Sequence, residues 1–214
     1  MIIAFNPSKS DVSHWHATDR QILVRDWLGS ACLELVESQI ACGAQIHVEA
    51  LLEEASKLQS YAAIIDTQQT WNPSQLSSEA LRHILWVRCR EQSQALRAAD
   101  VLIRDENFRI ILIDLRTLSH SALKRIPQSH WYRLQRIAQN QNSTLIAATS
   151  FPSIAASQLR IEIGAHLDLS SFHKKRSDLS EHLNTSIIRQ RTLSPQAQPW
   201  IQISAQKQQE AQAS

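Results

Sequence analysis

The chain has 214 residues, of which 43% are apolar and 20% are charged, so it can bury the core of one domain. Its three cysteines are too few for a disulfide scaffold, and we expect a cytoplasmic protein without a signal peptide or membrane span. The net charge of +2 does not require a nucleic-acid partner, and the three glycines make a glycine-rich phosphate loop improbable.

Short apolar runs alternate with helical patterns through the middle of the chain. The predicted strands are residues 32–36, 61–66, 84–87, 109–114, 144–148 and 159–163. The predicted helices are residues 44–59, 92–104 and 128–140, in which apolar side chains recur at helical spacing. This alternation predicts an α/β fold, with a mostly parallel sheet between two layers of helices. The run 159–163 alternates apolar and polar residues, which is typical of an edge or antiparallel strand.

Composition divides the chain into a core and two weaker ends. Residues 1–28 form a mixed polar lead-in, and residues 29–169 carry the regular patterning of the core. Residues 170–203 form a C-terminal extension with a possible strand at 187–191. The tail, residues 204–214, has no apolar periodicity, and we expect it to be disordered.

The loop after the first strand has the geometry of a phosphate loop but not its residues. Ligands of parallel sheets bind at the carboxyl ends of strands, and here a loop leads directly into a helix. Gly43 stands at the second glycine of the motif G-x-x-x-x-G-K-[ST]. Ser38 replaces the first glycine, Ala44 the lysine and Gln45 the hydroxyl residue. Residues 38–45 are also compatible with an ordinary strand-to-helix loop.

Four segments of the core occur in an order shared with a known family. Residues 65–73 read IDTQQTWNP, residues 85–100 form a strand and a helix, residues 110–114 read IILID, and residues 125–134 begin with RIP. In this order the stretch 33–162 resembles the core of the RecA recombinase superfamily. It looks closest to the RecA-like, SulA-like accessory proteins of bacterial DNA repair, the ImuA family. The resemblance implies a RecA-like three-layer core.

The resemblance also assigns positions to the chemistry of the family, and several of them have lost it. Asp114 ends the Walker B strand, and Gln68 stands at the catalytic glutamate but cannot act as a base. The first DNA-binding loop is reduced to residues 116–128, and the second is replaced by about ten residues around Phe151. The resemblance therefore implies a pseudo-enzyme with a degenerate phosphate loop, no catalytic residue, no cofactor and no metal site.

As a function, the resemblance implies a non-catalytic adaptor or regulator of the bacterial SOS response, acting in error-prone translesion synthesis. Its expected partners are RecA and an inactive Y-family polymerase homologue. Two alternatives stay open: a SulA-type division inhibitor, and a DNA-repair ATPase that uses an altered phosphate loop. Partner contacts are predicted in the C-terminal extension at Lys174, Lys175, Arg176 and Trp200. We expect any DNA binding to be weak or indirect.

Two further features have two interpretations each. The cations Lys124, Arg125, Arg133 and Arg136 surround the start and one face of the predicted helix 128–140. They form either a solvated charged face or a weak phosphate contact. Trp71 lies near the end of a predicted element, where it is either packed in its own domain or exposed for a protein contact.

Overall fold

A computed structural model describes residues 30–37, 43–67, 69–165, 173 and 183–191. Within these ranges, strands and helices alternate along the chain, and two short helices add to the predicted ones. The elements are β1 (Cys32–Glu37), α1 (Ala44–Lys57), β2 (Tyr61–Asp66), a 3₁₀ turn (Pro73–Gln75), α2 (Ser78–Arg82), β3 (Ile84–Arg88), α3 (Gln92–Arg104), β4 (Phe108–Asp114), α4 (His120–Arg125), α5 (Gln128–Asn140), β5 (Thr144–Thr149), β6 (Leu159–Ala165) and β7 (Leu183–Gln190). The lead-in 1–28 and the tail 204–214 lie outside the described residues.

All seven strands belong to one sheet, in the order β3-β2-β4-β5-β1-β6-β7. β1 lies between β5 and β6 and is parallel to both, with Leu33 opposite Ile146 on one side and Leu159 on the other. β7 pairs with β6 in the antiparallel direction. The strand predicted at 187–191 is thus present and begins earlier. The alternation of β6 predicted an edge or antiparallel strand. β6 is antiparallel to β7 but parallel to β1, and it lies between them instead of at the edge.

Helices cover both faces of the sheet. The connections from β1 to β2 and from β2 to β3 run towards one edge, and those from β3 to β4 and from β4 to β5 run back. Right-handed crossovers place the helices of such opposed connections on opposite faces. Packing in the core supports this placement, because Val48 and Leu51 of α1 lie in one cluster with Leu35 and Ile64 of the sheet. The predicted α/β class, with a mostly parallel sheet between helical layers, is confirmed.

The second face holds a separate apolar cluster beneath α3, α4 and α5. Ile103 of α3 and Trp131 of α5 pack there with Ile65 and Ile111 of the sheet, and none of the four side chains is more than 1% exposed. Burying an isoleucine of this kind contributes about 1.5–3 kcal/mol relative to leaving it exposed. Continuous apolar strands are therefore explained by burial on both faces.

Short polar caps fix the two helices that periodicity did not predict. The Ser77 side chain accepts a hydrogen bond from the backbone N–H of Ala80 at the start of α2, and Ser119 does the same for Ala122 at the start of α4. These helices have five and six residues, too few for an apolar period to show in the sequence. Among the described residues, no helix combines the length and the apolarity that a membrane crossing requires.

Candidate functional site

The candidate site is the carboxyl edge of the sheet, defined here as the ends of β1, β2 and β4. Asp66 ends β2 and is paired in register with Asp114, which ends β4. Glu37 ends β1, which β5 separates from β4. The chain leaves β2 towards one face and β4 towards the other, and ligands of parallel sheets bind in the crevice that such a divergence opens.

Arg116 joins two of these carboxylates. Its Nε donates to Oδ1 of Asp114 at 2.9 Å, its Nη2 donates to Oδ2 of Asp114 at 2.6 Å, and its Nη1 donates to Oε2 of Glu37 at 3.2 Å. The side chains of Arg116, Asp114 and Glu37 are only 18%, 5% and 17% exposed. These three residues, called the Arg116 cluster below, therefore connect the ends of β4 and β1 across β5.

The Arg116 cluster is charged and tightly held. Burial alone lowers the pKa of Arg116, but the hydrogen bonds and negative charges of Asp114 and Glu37 outweigh burial and hold that pKa above its ordinary value. Both oxygens of Asp114 accept hydrogen bonds from a single guanidinium, the bidentate geometry that arginine forms best with a carboxylate. In this arrangement Asp114 is the partner of an internal cation.

Asp66 has a different role at the same edge. Its Oδ1 accepts from the backbone N–H of Thr70 at 3.3 Å, and its Oδ2 accepts from the backbone N–H of Trp71 at 3.2 Å. The indole Nε1 of Trp86 also donates to Oδ2, at 3.3 Å. Thr67 donates to the backbone carbonyl of Asp114 at 2.7 Å and so ties β2 to β4. Asp66 therefore stabilises the turn after β2 through hydrogen bonds.

Trp71 lies inside the domain. It is 5% exposed, and its ring meets Trp86 edge to face at a centroid distance of 5.2 Å. The guanidinium of Arg88 lies over the Trp86 ring, 4.0 Å from its centroid. The interpretation of Trp71 as an exposed contact is therefore wrong. The backbone N–H of Trp71 donates to Asp66, and its ring packs on Trp86 of β3, a tertiary contact that the sequence pattern does not reveal.

The start of α1 holds the described part of the phosphate-loop stretch. Gly43 precedes the helix with φ 82° and ψ 13°, a left-handed conformation that favours glycine. Ala44 is buried in the core, at the position that a lysine would need to reach phosphate. The Gln45 amide donates to Oε1 of Glu49 at 2.8 Å and to the backbone carbonyl of Asn72 at 3.0 Å. Gln45 thus ties α1 to the loop after β2.

The other predicted site residues fall outside the described residues. These are Ser38 and Gln68 of the phosphate-loop and glutamate positions, together with Lys174, Lys175, Arg176 and Trp200 of the C-terminal extension. The structure therefore brings together Gly43, Ala44 and Gln45 at the start of α1, and it places Asp114 with Arg116 at the carboxyl edge.

Sequence reasoning missed another buried carboxylate, Glu34, in the middle of β1. Its Oε1 accepts from the backbone N–H groups of Ser153 at 2.7 Å and Ile154 at 3.1 Å, and from the Thr149 hydroxyl at 3.2 Å. Its Oε2 accepts from Nε of Arg160 at 2.6 Å. Glu34 therefore fixes the short connection between β5 and β6, where the resemblance puts the second DNA-binding loop. The only signal was one acid within an apolar strand.

Basic side chains from the neighbouring strands close around the same connection. Arg160 of β6 donates to the carbonyl of Ile154 at 2.9 Å, and Arg189 of β7 donates to the carbonyl of Ala155 at 3.3 Å. Burial, and then the positive charges of Arg160 and Arg191, lower the pKa of Arg189. Arg160, one of the two polar residues in the alternation of β6, is thus held by Glu34 and by the connection between β5 and β6.

Among the residues that the structure describes, no three His, Cys, Asp or Glu side chains lie close enough together to hold a metal ion. Comparison with protein-family models and with curated proteins gives no match to this chain.

Proposed function

We propose that this protein is a non-catalytic RecA-like accessory protein of the bacterial DNA-damage response. In this proposal it is an adaptor or regulator in error-prone translesion synthesis. The observation that carries the proposal is the Arg116 cluster. By the resemblance to RecA, Asp114 stands at the Walker B acid, and β1 leads into the degenerate phosphate loop. A guanidinium that pairs with Asp114 and Glu37 joins the two elements between which a RecA-like enzyme binds magnesium and nucleotide.

The residues present do not fit a magnesium nucleotide. Asp114 uses both carboxylate oxygens on Arg116, whose positive charge repels a second cation at the same place. Ala44 offers no cation to a phosphate, and the Gln45 amide is engaged by Glu49 and Asn72. Loss of one group that stabilises transition-state charge typically costs about 10²–10³ in turnover. The loss of several supports a protein without ATPase activity.

A protein that keeps the parallel sheet but has an internal ion pair at the carboxyl edge fits a role in binding other proteins. In RecA filaments neighbouring cores pack across the nucleotide face. A core whose carboxyl edge is held by an internal ion pair can bind one neighbour and then fail to extend the filament. The Glu34 network fits the same role, because it fixes the connection after β5 in one conformation. RecA and an inactive Y-family polymerase homologue are the partners that the resemblance implies.

The test combines a nucleotide assay with a binding assay on the full chain. We expect no magnesium-dependent phosphate release from ATP, and binding to purified RecA or to the polymerase homologue at micromolar concentration by light scattering. Phosphate release that disappears in Asp114→Asn would overturn the proposal in favour of the ATPase alternative. Release that persists in Asp114→Asn comes from a contaminant and leaves the proposal standing.

The third protein in the binding assay is the tubulin-like division protein. Binding to it, with no binding to RecA or to the polymerase homologue, would overturn the adaptor proposal in favour of the SulA-type inhibitor. Each binding measurement is repeated with Arg82→Met as a matched control, because Arg82 forms an exposed ion pair with Glu79 away from the carboxyl edge. That variant is expected to bind like the unchanged protein.

A further inference from the structure

A cavity of about 360 Å³ lies between α3 and the junction of α4 with α5. None of its lining residues belongs to the carboxyl edge. Four apolar residues contribute to it: Leu96, Ile126, Pro127 and Leu134. Ile126 and Leu134 are buried, so the apolar part of the lining extends into the core cluster of this face. We call this cavity the α3–α5 groove.

The α3–α5 groove is also strongly basic. Arg97, Arg125, His130 and Arg133 line it, and Asp100 is its only acid. Asp100 already forms an ion pair with Arg133 at 2.9 Å and accepts a hydrogen bond from Nε of Arg104 at 3.4 Å. Arg97 and Arg125 are exposed and form no hydrogen bond or ion pair with any described residue. Within the part of the chain that the structure describes, the groove therefore presents two guanidinium groups without a partner beside an apolar floor.

We propose that the α3–α5 groove binds an acidic peptide segment of a partner protein. One apolar side chain of the peptide lies on Leu96 and Pro127, and flanking carboxylates pair with Arg97 and Arg125. This inference rests on the proposed function, because a protein that acts by contact needs a recognition surface. The volume suits one large side chain, and planar guanidinium groups pair with carboxylates in two parallel hydrogen bonds.

The lining favours a peptide over the other anions. A free phosphate gains nothing from an apolar floor, whereas an anchored side chain is stabilised by its burial. Single-stranded nucleic acid is held by a positively charged groove together with stacking of its bases on aromatic rings. Among the lining residues only His130 has a planar ring, and no Trp, Tyr or Phe is present. A peptide with one apolar residue among Asp and Glu residues matches both the apolar floor and the guanidinium groups of the groove.

Selection from a random peptide library displayed on phage tests the proposal with the full chain as bait. We expect enriched peptides that place a Leu, Ile, Phe or Met residue among Asp and Glu residues. The consensus peptide, labelled with fluorescein, should bind with an affinity that falls as salt is added. Arg97→Glu and Arg125→Glu should each weaken this affinity at least about tenfold.

Two exposed cations outside the groove provide matched controls. Lys124 lies next to Arg125 on α4, and Arg136 lies on α5. Because Lys124→Glu and Arg136→Glu also replace a cation by an acid, they change the net charge by the same amount as Arg97→Glu and Arg125→Glu. They should change the affinity by less than about twofold. Circular dichroism of each variant checks that the fold is retained. An equal loss in all four variants would show a general charge effect and would overturn the proposal.

Other results would also overturn it. These are the absence of any enriched peptide, enrichment of neutral or basic peptides, or loss of single-stranded DNA binding in Arg97→Glu and Arg125→Glu without loss of peptide binding. The last result would make the groove a nucleic-acid surface. The peptide proposal and the proposed function can fail separately. Peptide binding together with ATP hydrolysis would refute only the pseudo-enzyme, whereas RecA binding without any selected peptide would refute only the groove.

Discussion

Replacing Arg116 by methionine removes the cation of the Arg116 cluster but keeps most of the length of the side chain. The change leaves Asp114 and Glu37 without their shared counter-ion, and the side chain of Asp114 is only 5% exposed. Removing one partner of a buried ion pair costs about 3–5 kcal/mol. We expect about 3 kcal/mol for Arg116→Met, at the lower end, because water still reaches 18% of the arginine side chain.

Urea denaturation followed by circular dichroism measures this loss. A double-mutant cycle of Arg116→Met with Asp114→Asn isolates the interaction, and we expect a coupling of at least about 1 kcal/mol. Arg82→Met is the control, since Arg82 and Glu79 are paired at 2.9 Å with side chains 73% and 54% exposed. It should change stability by less than about 0.5 kcal/mol. Additive single effects, with no measurable coupling, would refute the bidentate pair at the carboxyl edge.

The remaining predictions concern other parts of the chain. Glu34→Gln leaves Arg160 without its counter-ion and should lower the free energy of unfolding by about 3 kcal/mol, measured in urea against the unchanged protein. Burial, and then the charge of Glu34, raise the pKa of Cys32 from 9.0 to about 12. The unfolded chain loses this proton first, so the stability from Cys32 is complete below pH 9 and declines towards pH 12; Cys32→Ala should not show that decline. Binding to duplex DNA should be weak and fall steeply with salt in fluorescence polarisation, and binding that survives high salt would contradict the shortened connection after β5.

The sequence predicts the regular elements well where burial determines the pattern. The ends of β2, α3 and α5 agree with the predicted ranges 61–66, 92–104 and 128–140. Strands buried on both faces are apolar throughout, and helices buried on one face show their period. The short helices α2 and α4 were missed because they depend on serine caps and on tertiary packing. The strand order was not predicted at all, since registry between distant strands leaves no local signal.

The candidate site could be predicted only in part. Asp114 is visible in the sequence as an acid that ends an apolar strand, and parallel sheets expose such ends at one edge. Arg116 looks like any arginine in a loop, and its second partner, Glu37, lies 79 positions away. The available signal was the pair of acids at the ends of β1 and β4. Two acids at one sheet edge need a nearby cation, and Arg116 is two residues from Asp114.

Two ion-pair systems that share β1 shape this fold, and their physical role is better described as specificity than as stability. Glu34 pairs with Arg160 within the sheet, and Glu37 pairs with Arg116 at the carboxyl edge. The cost of removing water from such charges offsets most of their attraction, so apolar pairs of similar volume are often as stable. Apolar side chains, however, do not fix the direction of a loop. Here the two carboxylates accept hydrogen bonds from the connection after β5 and from the segment after β4. A segment held by such hydrogen bonds loses less conformational entropy when a partner binds, which would favour the role in contact that we propose.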